Sequence, residues 1–279
     1  MLYRSCPKGA PGLWPGAPFA FWPLLLAALL SGFATPVNAG DCPATRIHER
    51  VQVIHVYDGD TVKLADGRRL RLIGINTPEV GDRAREATRA YAREAQAALT
   101  DLLGKHNKIL LLEYGAERTD HYGRLLAHAW LEDGTNVAAR LLQLGLATTL
   151  VVPPNTRAQD CYQRQEDSAR SAARGLWSSP AYRSQASTSL PLTSRGFHIV
   201  HGTVDQVRRT RNNVWITLAG PVTIRISNPD LVNFAPGFPD GLAGQNLEVR
   251  GWLKPDRDGL RLTVRHSAAL TIITPSRRY

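Results

Sequence analysis

Apolar and polar residues alternate on both sides of Asp66 and Gly67, and this pattern predicts a β-hairpin. With these two residues as the loop, Val62 faces Arg71 across the hairpin. Side chains point alternately to the two faces of a sheet along each strand. Asp60 and Arg71 are therefore expected on the same face of neighbouring strands, where they form either a polar site or part of a solvated sheet surface.

Pro78 follows the second strand of the hairpin and lacks the backbone N–H that a further ladder bond would need. The chain should therefore leave the sheet at Asn76, with Thr77 and Glu79 just beyond its edge. An acid at one strand start, an arginine on the next strand and a second acid past the edge are more typical of a site than of a core.

Hydrophobic periodicity predicts the other elements of the first half of the chain. Apolar side chains recur at three- and four-residue steps over residues 86–103, which predicts a helix that ends at Gly104. The same patterns predict strands over residues 108–114 and 124–131, and helices over residues 137–144 and 157–174. Strands with interleaved helices fit a small Greek-key barrel, so the fold class is α+β and mainly β.

A second, all-β domain with an OB-like barrel is predicted over residues 197–279. One phase of its strands is apolar and should face a core, as in Val214, Ile216 and Leu218. The opposite phase carries Trp215, Trp252, Arg225, Arg250, Arg261 and Arg265. Aromatic and basic side chains on one surface are how OB-type domains hold single-stranded nucleic acid. An ordinary barrel with solvated arginines, and with tryptophans packed against the first domain, would show the same alternation.

The chain carries 34 basic and 24 acidic residues, a net charge of +10 that favours a polyanionic partner such as nucleic acid or simply keeps the chain soluble. Residues 197–279 hold eleven basic and six acidic residues, a net charge of +5. The C-terminal domain therefore carries half of the net charge.

The N-terminal segment predicts a secretory signal peptide over residues 1–39. Arg4 and Lys8 precede an apolar run over residues 19–33, which is short for a membrane span, and small residues up to Ala39 offer a cleavage site. Cleavage would place the protein in the periplasm or outside the cell. An uncleaved segment would instead anchor the chain to a membrane.

Residues 178–194 are rich in Ser and Pro and show no apolar period, so we interpret them as a flexible connection. The chain is therefore expected to divide into a signal peptide at 1–39, a first domain at 40–178, a linker at 179–196 and a C-terminal barrel at 197–279.

Signal cleavage leaves Cys42 and Cys161 as the cysteines of an exported chain, which favours one disulfide between them. It would tie the start of the first domain to its last helix. Two separate buried thiols are the alternative, and no Cys or His spacing in the sequence indicates a zinc site.

Three linked motifs carry the most specific signal. They are DGDTVKL at residues 58–64, RLIGINTPE at 71–79 and RTDHYGR at 118–124. In order and spacing they resemble the staphylococcal nuclease-like (thermonuclease) family over about residues 51–177. The resemblance implies an OB-type barrel and hydrolysis of phosphodiester bonds in DNA and RNA with Ca²⁺, leaving a 3′-phosphate.

The resemblance also implies a metal site. Asp60, Asn76 and the backbone carbonyl of Thr77 match the family's ligands, and hard oxygen donors of this kind suit Ca²⁺. The family most often has an aspartate where this chain has Asn76. The amide oxygen still coordinates calcium, but the loss of one negative charge should lower the affinity for the ion.

Arg71 and Arg124 match the two arginines that grip the phosphate in the family's transition state, a task that suits a planar guanidinium with paired donors. Glu79 lies at the position of the general base or water-orienting acid, and Tyr122 at that of a tyrosine near the bound nucleotide. The family's tyrosines after the second helix have no counterpart in residues 148–152, which puts base preference and substrate affinity in question.

These observations predict an exported, calcium-dependent nuclease that acts on DNA and RNA and prefers single strands. No stable protein partner is inferred. One alternative is a nucleic-acid-binding module whose catalysis is lost through Asn76, although a binding module has no need of Glu79. Another is an envelope-associated protein that uses its C-terminal barrel on a different polyanion.

Overall fold

The structure, a computed structural model, describes residues 42–79 and 86–273 of the 279-residue chain. The predicted signal peptide over residues 1–39 lies outside these described residues. Among the helices of the described part of the chain, none is long and apolar enough to cross a membrane.

The first half of the described chain forms a closed barrel with a small additional sheet. Its strands are β1 (Glu49–Val56), β2 (Thr61–Leu64), β3 (Arg69–Leu72), β4 (Gly74–Asn76), β5 (Ile109–Thr119), β6 (Leu125–Trp130) and β7 (Thr148–Leu150). The barrel closes in the order β1-β2-β3-β6-β5, and β4 pairs with β7. β3 and β6 run parallel, whereas the other pairs are antiparallel. The five-stranded barrel and the mainly β fold class are confirmed.

Three helices accompany this barrel, close to the predicted positions. They are α1 (Glu86–Gly104), α2 (Val137–Gln143) and α3 (Gln159–Ser171). The α2 helix begins where the Asn136 side chain accepts a hydrogen bond from the Ala139 backbone N–H at 2.9 Å, which satisfies one of the free donors of the first turn. Its apolar side chains pack into the barrel core.

The hairpin between β2 and β3 differs from its predicted register by one residue. Thr61, and not Val62, lies opposite Arg71. The loop spans residues 65–67 because Gly67 adopts a positive φ of 91°, which allows a three-residue turn in place of the predicted two-residue one. The prediction that Val62 faces Arg71 is therefore wrong.

The second half of the described chain forms another barrel of five strands. They are β9 (Gly196–Arg209), β10 (Asn213–Leu218), β11 (Val222–Ser227), β12 (Asn246–Asp256) and β13 (Gly259–Thr263), preceded by β8 (Gln185–Ala186) and followed by β14 (Leu270–Ile272). The barrel closes because β12 pairs with both β13 and β9. The inward phase is as predicted: Val214, Ile216 and Leu218 are buried in its core. The second barrel is confirmed.

Residues 178–194 are packed, so the interpretation of this segment as a flexible connection is wrong. Tyr182, Ser187 and Leu190 are buried, and Tyr182 packs with Trp177 and Phe197 in a small aromatic cluster. Isolated buried side chains of this kind produce no apolar period, but each still fixes the chain against its neighbours. The domain boundaries drawn around the segment stay a prediction.

A disulfide joins Cys42 to Cys161, and both cysteines are buried. The bond ties the residues before β1 to helix α3. The carbonyl of Cys42 also accepts hydrogen bonds from the Trp130 indole at 3.0 Å and from the Asn136 side chain at 3.2 Å. The start of the barrel is therefore held both covalently and by buried hydrogen bonds.

Two ion pairs connect the barrels. Arg250 on β12 contacts Glu166 on α3 at 2.6 Å, and Arg170 contacts Glu248 at 3.0 Å. The Glu166 side chain is 0% exposed, so its charge is compensated inside the interface.

Candidate active site

Asp60 is the centre of the polar cluster at the end of the first barrel and is only 4% exposed. One of its carboxylate oxygens, Oδ2, accepts hydrogen bonds from the Thr77 backbone N–H at 2.8 Å and the Thr77 hydroxyl at 3.1 Å, and lies 2.9 Å from Nη1 of Arg71. The other oxygen accepts from the Thr61 hydroxyl at 3.0 Å. Asp60, Arg71 and Thr77, which the motifs single out, are thus in direct contact.

Asp60 reaches Arg71 although the corrected register sets Thr61 opposite that arginine. Asp60 precedes the first residue of β2, so the regular alternation of strand side chains does not govern its direction. Its neighbour Gly59 makes the close approach possible: a Cβ at Gly59 would lie 2.6 Å from the Ala95 side chain and 2.7 Å from that of Thr77. The predicted proximity of Asp60 and Arg71 holds, for a different reason.

Asp58 lies beside Asp60 and closes the turn before β2. Its Oδ1 accepts a hydrogen bond from the Asp60 backbone N–H at 3.0 Å. Burial, and then the negative charge of Asp60, raise the pKa of Asp58 to about 7. The turn therefore holds two carboxyl groups in a largely dehydrated place.

Arg124 is held by the turn that the RTDHYGR motif forms. Asp120 accepts hydrogen bonds from the backbone N–H groups of Tyr122 at 2.9 Å and Arg124 at 3.0 Å, and from Nε of Arg124 at 2.7 Å. The guanidinium of Arg124 lies 5.3 Å from the ring centre of the exposed Tyr122. Asp120 therefore closes the turn through its side chain.

Arg71 and Arg124 line one cavity of about 380 Å³. They come together because β3 and β6 are parallel neighbours, with Arg71 opposite Leu126. The remaining walls include Asp120, His121 and Leu150. Its lining combines charged side chains with apolar ones such as Leu126 and Val152, which fits a phosphate attached to a base and sugar.

The oxygen donors at this end of the barrel fit a hard cation better than a soft one. The residues that would hold it are Asp60, Asn76 and Thr77, which supply a carboxylate, an amide and a backbone carbonyl. Within residues 42–79 and 86–273, no group of three or more His, Cys, Asp or Glu side chains could hold a metal ion.

Asn76 ends β4, and its carbonyl accepts a hydrogen bond from the Thr148 hydroxyl at 3.3 Å. Glu79 is the last described residue before the range that begins at 86, and its side chain is exposed. Glu79 follows Thr77 by two residues, which puts its backbone next to the cluster around Asp60.

Comparisons with known proteins agree with this geometry. The family model described as staphylococcal nuclease homologue matches residues 69–179. A thermonuclease of Staphylococcus hyicus is 33% identical over 133 residues, which cover 46% of this chain and 75% of the relative. A thermonuclease of Staphylococcus intermedius is 34% identical over 135 residues, 46% of this chain and 76% of the relative. The chain belongs to the staphylococcal nuclease family.

A further relative is the endonuclease YncB of Bacillus subtilis, 32% identical over 152 residues, which cover 53% of this chain and 66% of the relative. The segments that match these relatives make up about half of the present chain. The family model ends at residue 179, so the second barrel lies beyond it.

The second barrel places the predicted substrate-binding residues at two locations. Trp215 on β10 lies directly opposite Arg225 on β11. Trp252 on β12 is 42% exposed, and its ring packs edge to face on Phe197 at 5.5 Å. Both tryptophans and Arg225 are on the outward phase, as predicted.

Arg250 makes contacts that were not predicted from its position on the outward face of β12. Its Nη1 donates to Glu166 at 2.6 Å and to the Thr149 hydroxyl at 3.0 Å, and its side chain is largely buried. Its charge is therefore compensated between the barrels. Substrate binding by Arg250 stays a prediction.

Sequence reasoning assigned no site role to His121, and it placed Arg265 only on the outward, basic surface of the second barrel. His121 is part of the RTDHYGR motif, and Arg265 follows β13 in the second barrel, yet both line the cavity that contains Arg71 and Arg124. Membership of a motif is a sequence signal for His121, and Arg265 has no such signal. The position of Arg265 depends on how the two barrels pack, which sequence spacing does not report.

Proposed function

We propose that the protein is an exported nuclease that hydrolyses phosphodiester bonds in DNA and RNA with the help of Ca²⁺, preferring single strands. The contact of Asp60 with Arg71 and Thr77, beside the cavity that Arg71 shares with Arg124, carries the proposal. The relatives named thermonuclease and endonuclease support the same reaction class.

Arg71 and Arg124 would bind the phosphate that reacts. A guanidinium has five N–H donors, stays charged at any working pH and matches two phosphate oxygens at once. Asp60 and Asp120 each hold one nitrogen of these side chains, which orients the guanidinium groups before substrate arrives. Such preorganised donors stabilise the charge that builds up on the phosphoryl oxygens in the transition state.

Asp60, Asn76 and the carbonyl of Thr77 would hold the calcium ion, since all three provide oxygen donors. When bound, the ion supplies positive charge for the phosphoryl oxygens and for the attacking water. Asp58 accepts the hydrogen bond of the Asp60 backbone N–H and so fixes the turn that presents the Asp60 carboxylate.

Glu79 would accept the proton of the attacking water. A general base needs contact with water and a position near the reacting phosphorus, and Glu79 is exposed and two residues from Thr77. Water would then attack the phosphorus as the bond to the leaving oxygen breaks, and the family resemblance implies that the phosphate stays on the 3′ side.

Export is supported by the predicted signal peptide and by the disulfide between Cys42 and Cys161, since disulfides persist in oxidising compartments. N-terminal sequencing of the exported protein tests this part, with a start directly after Ala39 as the expected result. A start at Met1 in a membrane fraction would support the anchored alternative.

Hydrolysis of single-stranded DNA by the protein without residues 1–39 tests the activity, with calcium, with magnesium and with a chelator. We expect cleavage that needs calcium and is lost in Glu79→Ala. Glu132→Ala is the matched control, because Glu132 is a surface glutamate that pairs with Arg50 outside the site. Comparison with double-stranded DNA and RNA tests the strand preference.

Absence of cleavage under every ion condition, with DNA still bound, would refute the enzyme. It would favour a nucleic-acid-binding module on the same fold, as the loss of one carboxylate at Asn76 allows.

A further inference from the structure

A second cavity, of about 690 Å³, adjoins the one that contains Arg71 and Arg124. The two cavities share four lining residues, which are His121, Leu150, Val152 and Arg265. We call their union the inter-barrel groove; it runs from the first barrel's arginine pair onto the second barrel. Each cavity has the size of a site for a small organic ligand, and together they exceed the space that a single nucleotide needs.

The second-barrel part of the groove is strongly basic. Its lining includes Arg225, Lys254, Arg261 and Arg265, besides Arg250, whose charge Glu166 compensates, and among the described residues that line this cavity none is acidic. A concave surface lined by positive charges attracts a polyanion.

Two of these arginines have partners that a phosphate could replace. Arg261 pairs with Asp256 at 3.1 Å and Arg265 with Asp230 at 3.3 Å, and both arginine side chains are more than a third exposed. Asp256 is 41% exposed, so its exchange for a phosphate costs little. Asp230 is only 14% exposed, so its exchange leaves a mostly buried carboxylate that the Ser227 hydroxyl continues to bind. Arg225 donates to the neutral Asn213 side chain and keeps its net charge.

Trp252 gives the groove an aromatic surface. Its ring is 42% exposed and is fixed by the contact with Phe197. A fixed, exposed tryptophan among basic side chains is how single-strand-binding barrels stack a base. Binding of a different polyanion, such as a sulfated sugar, through charge alone would not depend on the ring.

We propose that the inter-barrel groove holds one continuous single strand of nucleic acid. The reacting phosphate lies at Arg71 and Arg124, the adjoining phosphate at Arg265, and a base further along stacks on Trp252. This inference rests on the proposed function, because it takes the Arg71–Arg124 cavity as the place of the reacting phosphate. It assigns the second barrel to substrate binding and makes affinity depend on strand length.

Binding to fluorescently labelled oligothymidylates of two and of twelve nucleotides tests the groove, with the full chain and a chelator present. The chelator removes the ion that the proposed cleavage needs, and the experiment measures binding, which a protein without nuclease activity would show as well. Arg265→Gln is compared with Arg209→Gln. Arg209 is the matched control because it pairs with Asp240, is 51% exposed against 49% for Arg265, and lies outside both cavities.

We expect Arg265→Gln to weaken twelve-nucleotide binding and to reduce the slope of log affinity against log salt by about 0.7, the value for one lost phosphate contact on a single strand. Arg209→Gln should leave the slope unchanged. Equal effects of the two variants would overturn the proposal, even if calcium-dependent cleavage were observed.

Trp252→Leu tests the stacking. Loss of one stacked base should weaken twelve-nucleotide binding roughly 5- to 100-fold and leave dinucleotide binding unchanged. Two results would refute a strand in the groove and favour a general polyanion site. One is an equal loss of affinity for both oligonucleotide lengths. The other is an unchanged affinity for oligonucleotides together with unchanged competition by heparin. Circular dichroism and the melting temperature of each variant establish that it is folded.

Discussion

Reduction of the Cys42–Cys161 disulfide should destabilise the first barrel strongly. The two cysteines are 119 residues apart in sequence, and the bond connects the segment before β1 to α3. It therefore closes a loop around nearly the whole barrel. Cross-links of this kind act mainly on the unfolded chain, whose conformational freedom they reduce.

The magnitude follows from the loop length. With 119 residues in the loop, the chain-entropy relation gives about 16 cal/mol/K, or about 5 kcal/mol at room temperature. Measured disulfides typically contribute about 2–4 kcal/mol, because the reduced chain keeps some structure. We therefore expect reduction to lower the free energy of unfolding by about 2 to 5 kcal/mol, a large share of the stability of an ordinary domain.

Urea unfolding with and without a thiol reductant measures this difference, followed by tryptophan fluorescence and by circular dichroism. Trp130 reports on the relevant region, because its indole is buried and donates to the carbonyl of Cys42. The double variant Cys42→Ala/Cys161→Ala is the control and should not respond to the reductant. A reductant effect below about 1 kcal/mol on the natural protein would refute the loop-closure reasoning.

Three further predictions follow from other parts of the molecule. Asn76→Asp restores a carboxylate to the proposed calcium site, so the calcium concentration for half-maximal hydrolysis should fall; an unchanged value would exclude Asn76 as a ligand. Burial lowers the pKa of His128 to about 4, so below pH 6.5 the unfolded chain takes up a proton that the folded protein does not. The free energy of unfolding should therefore fall by about 3 kcal/mol as the pH is lowered from about 6.5 to 4. A His128→Gln variant should lack this part of the pH dependence in urea titrations. Glu166→Gln leaves Arg250 buried without its counter-charge and should cost about 3–5 kcal/mol in urea unfolding, whereas Glu132→Gln on the surface should cost less than about 1 kcal/mol.

The sequence was sufficient for features that local chemistry determines. Periodicity located α1, α2 and the inward phase of the second barrel, because burial of one face leaves a regular trace in the chain. The contact between Asp60 and Arg71 was also predicted, although the assumed register was not the true one. Two-residue and three-residue hairpin loops both accept Gly67 at a positive φ, so the motif alone did not distinguish them.

Features that depend on packing between distant segments were not predictable in the same way. Alternation assigned Arg250 to the outward face of its strand, which is correct, but it does not report which surface lies opposite. In the folded protein that surface is α3, and Glu166 compensates the charge of Arg250. Residues 178–194 present the same difficulty, because Tyr182 and Leu190 are buried by contacts that no local pattern indicates.

The segment where related nucleases have tyrosines near the base shows how the second barrel changes the site. In this chain the Thr149 hydroxyl donates to Glu166 at 2.7 Å and accepts from Arg250 at 3.0 Å, so the segment is joined to the second barrel. Leu150, next in the chain, lines both cavities of the inter-barrel groove.

An aromatic ring for the base is therefore absent from residues 148–152, but Trp252 on the second barrel lines the adjoining cavity. Residues 149–152 line this cavity together with Trp252. It follows that removal of the Trp252 ring should reduce the preference between bases as well as the affinity. Hydrolysis rates on homopolymeric strands of each base, compared between the natural chain and Trp252→Leu, measure that change; an unaltered order and spread of the rates would contradict transfer of base contacts to the second barrel.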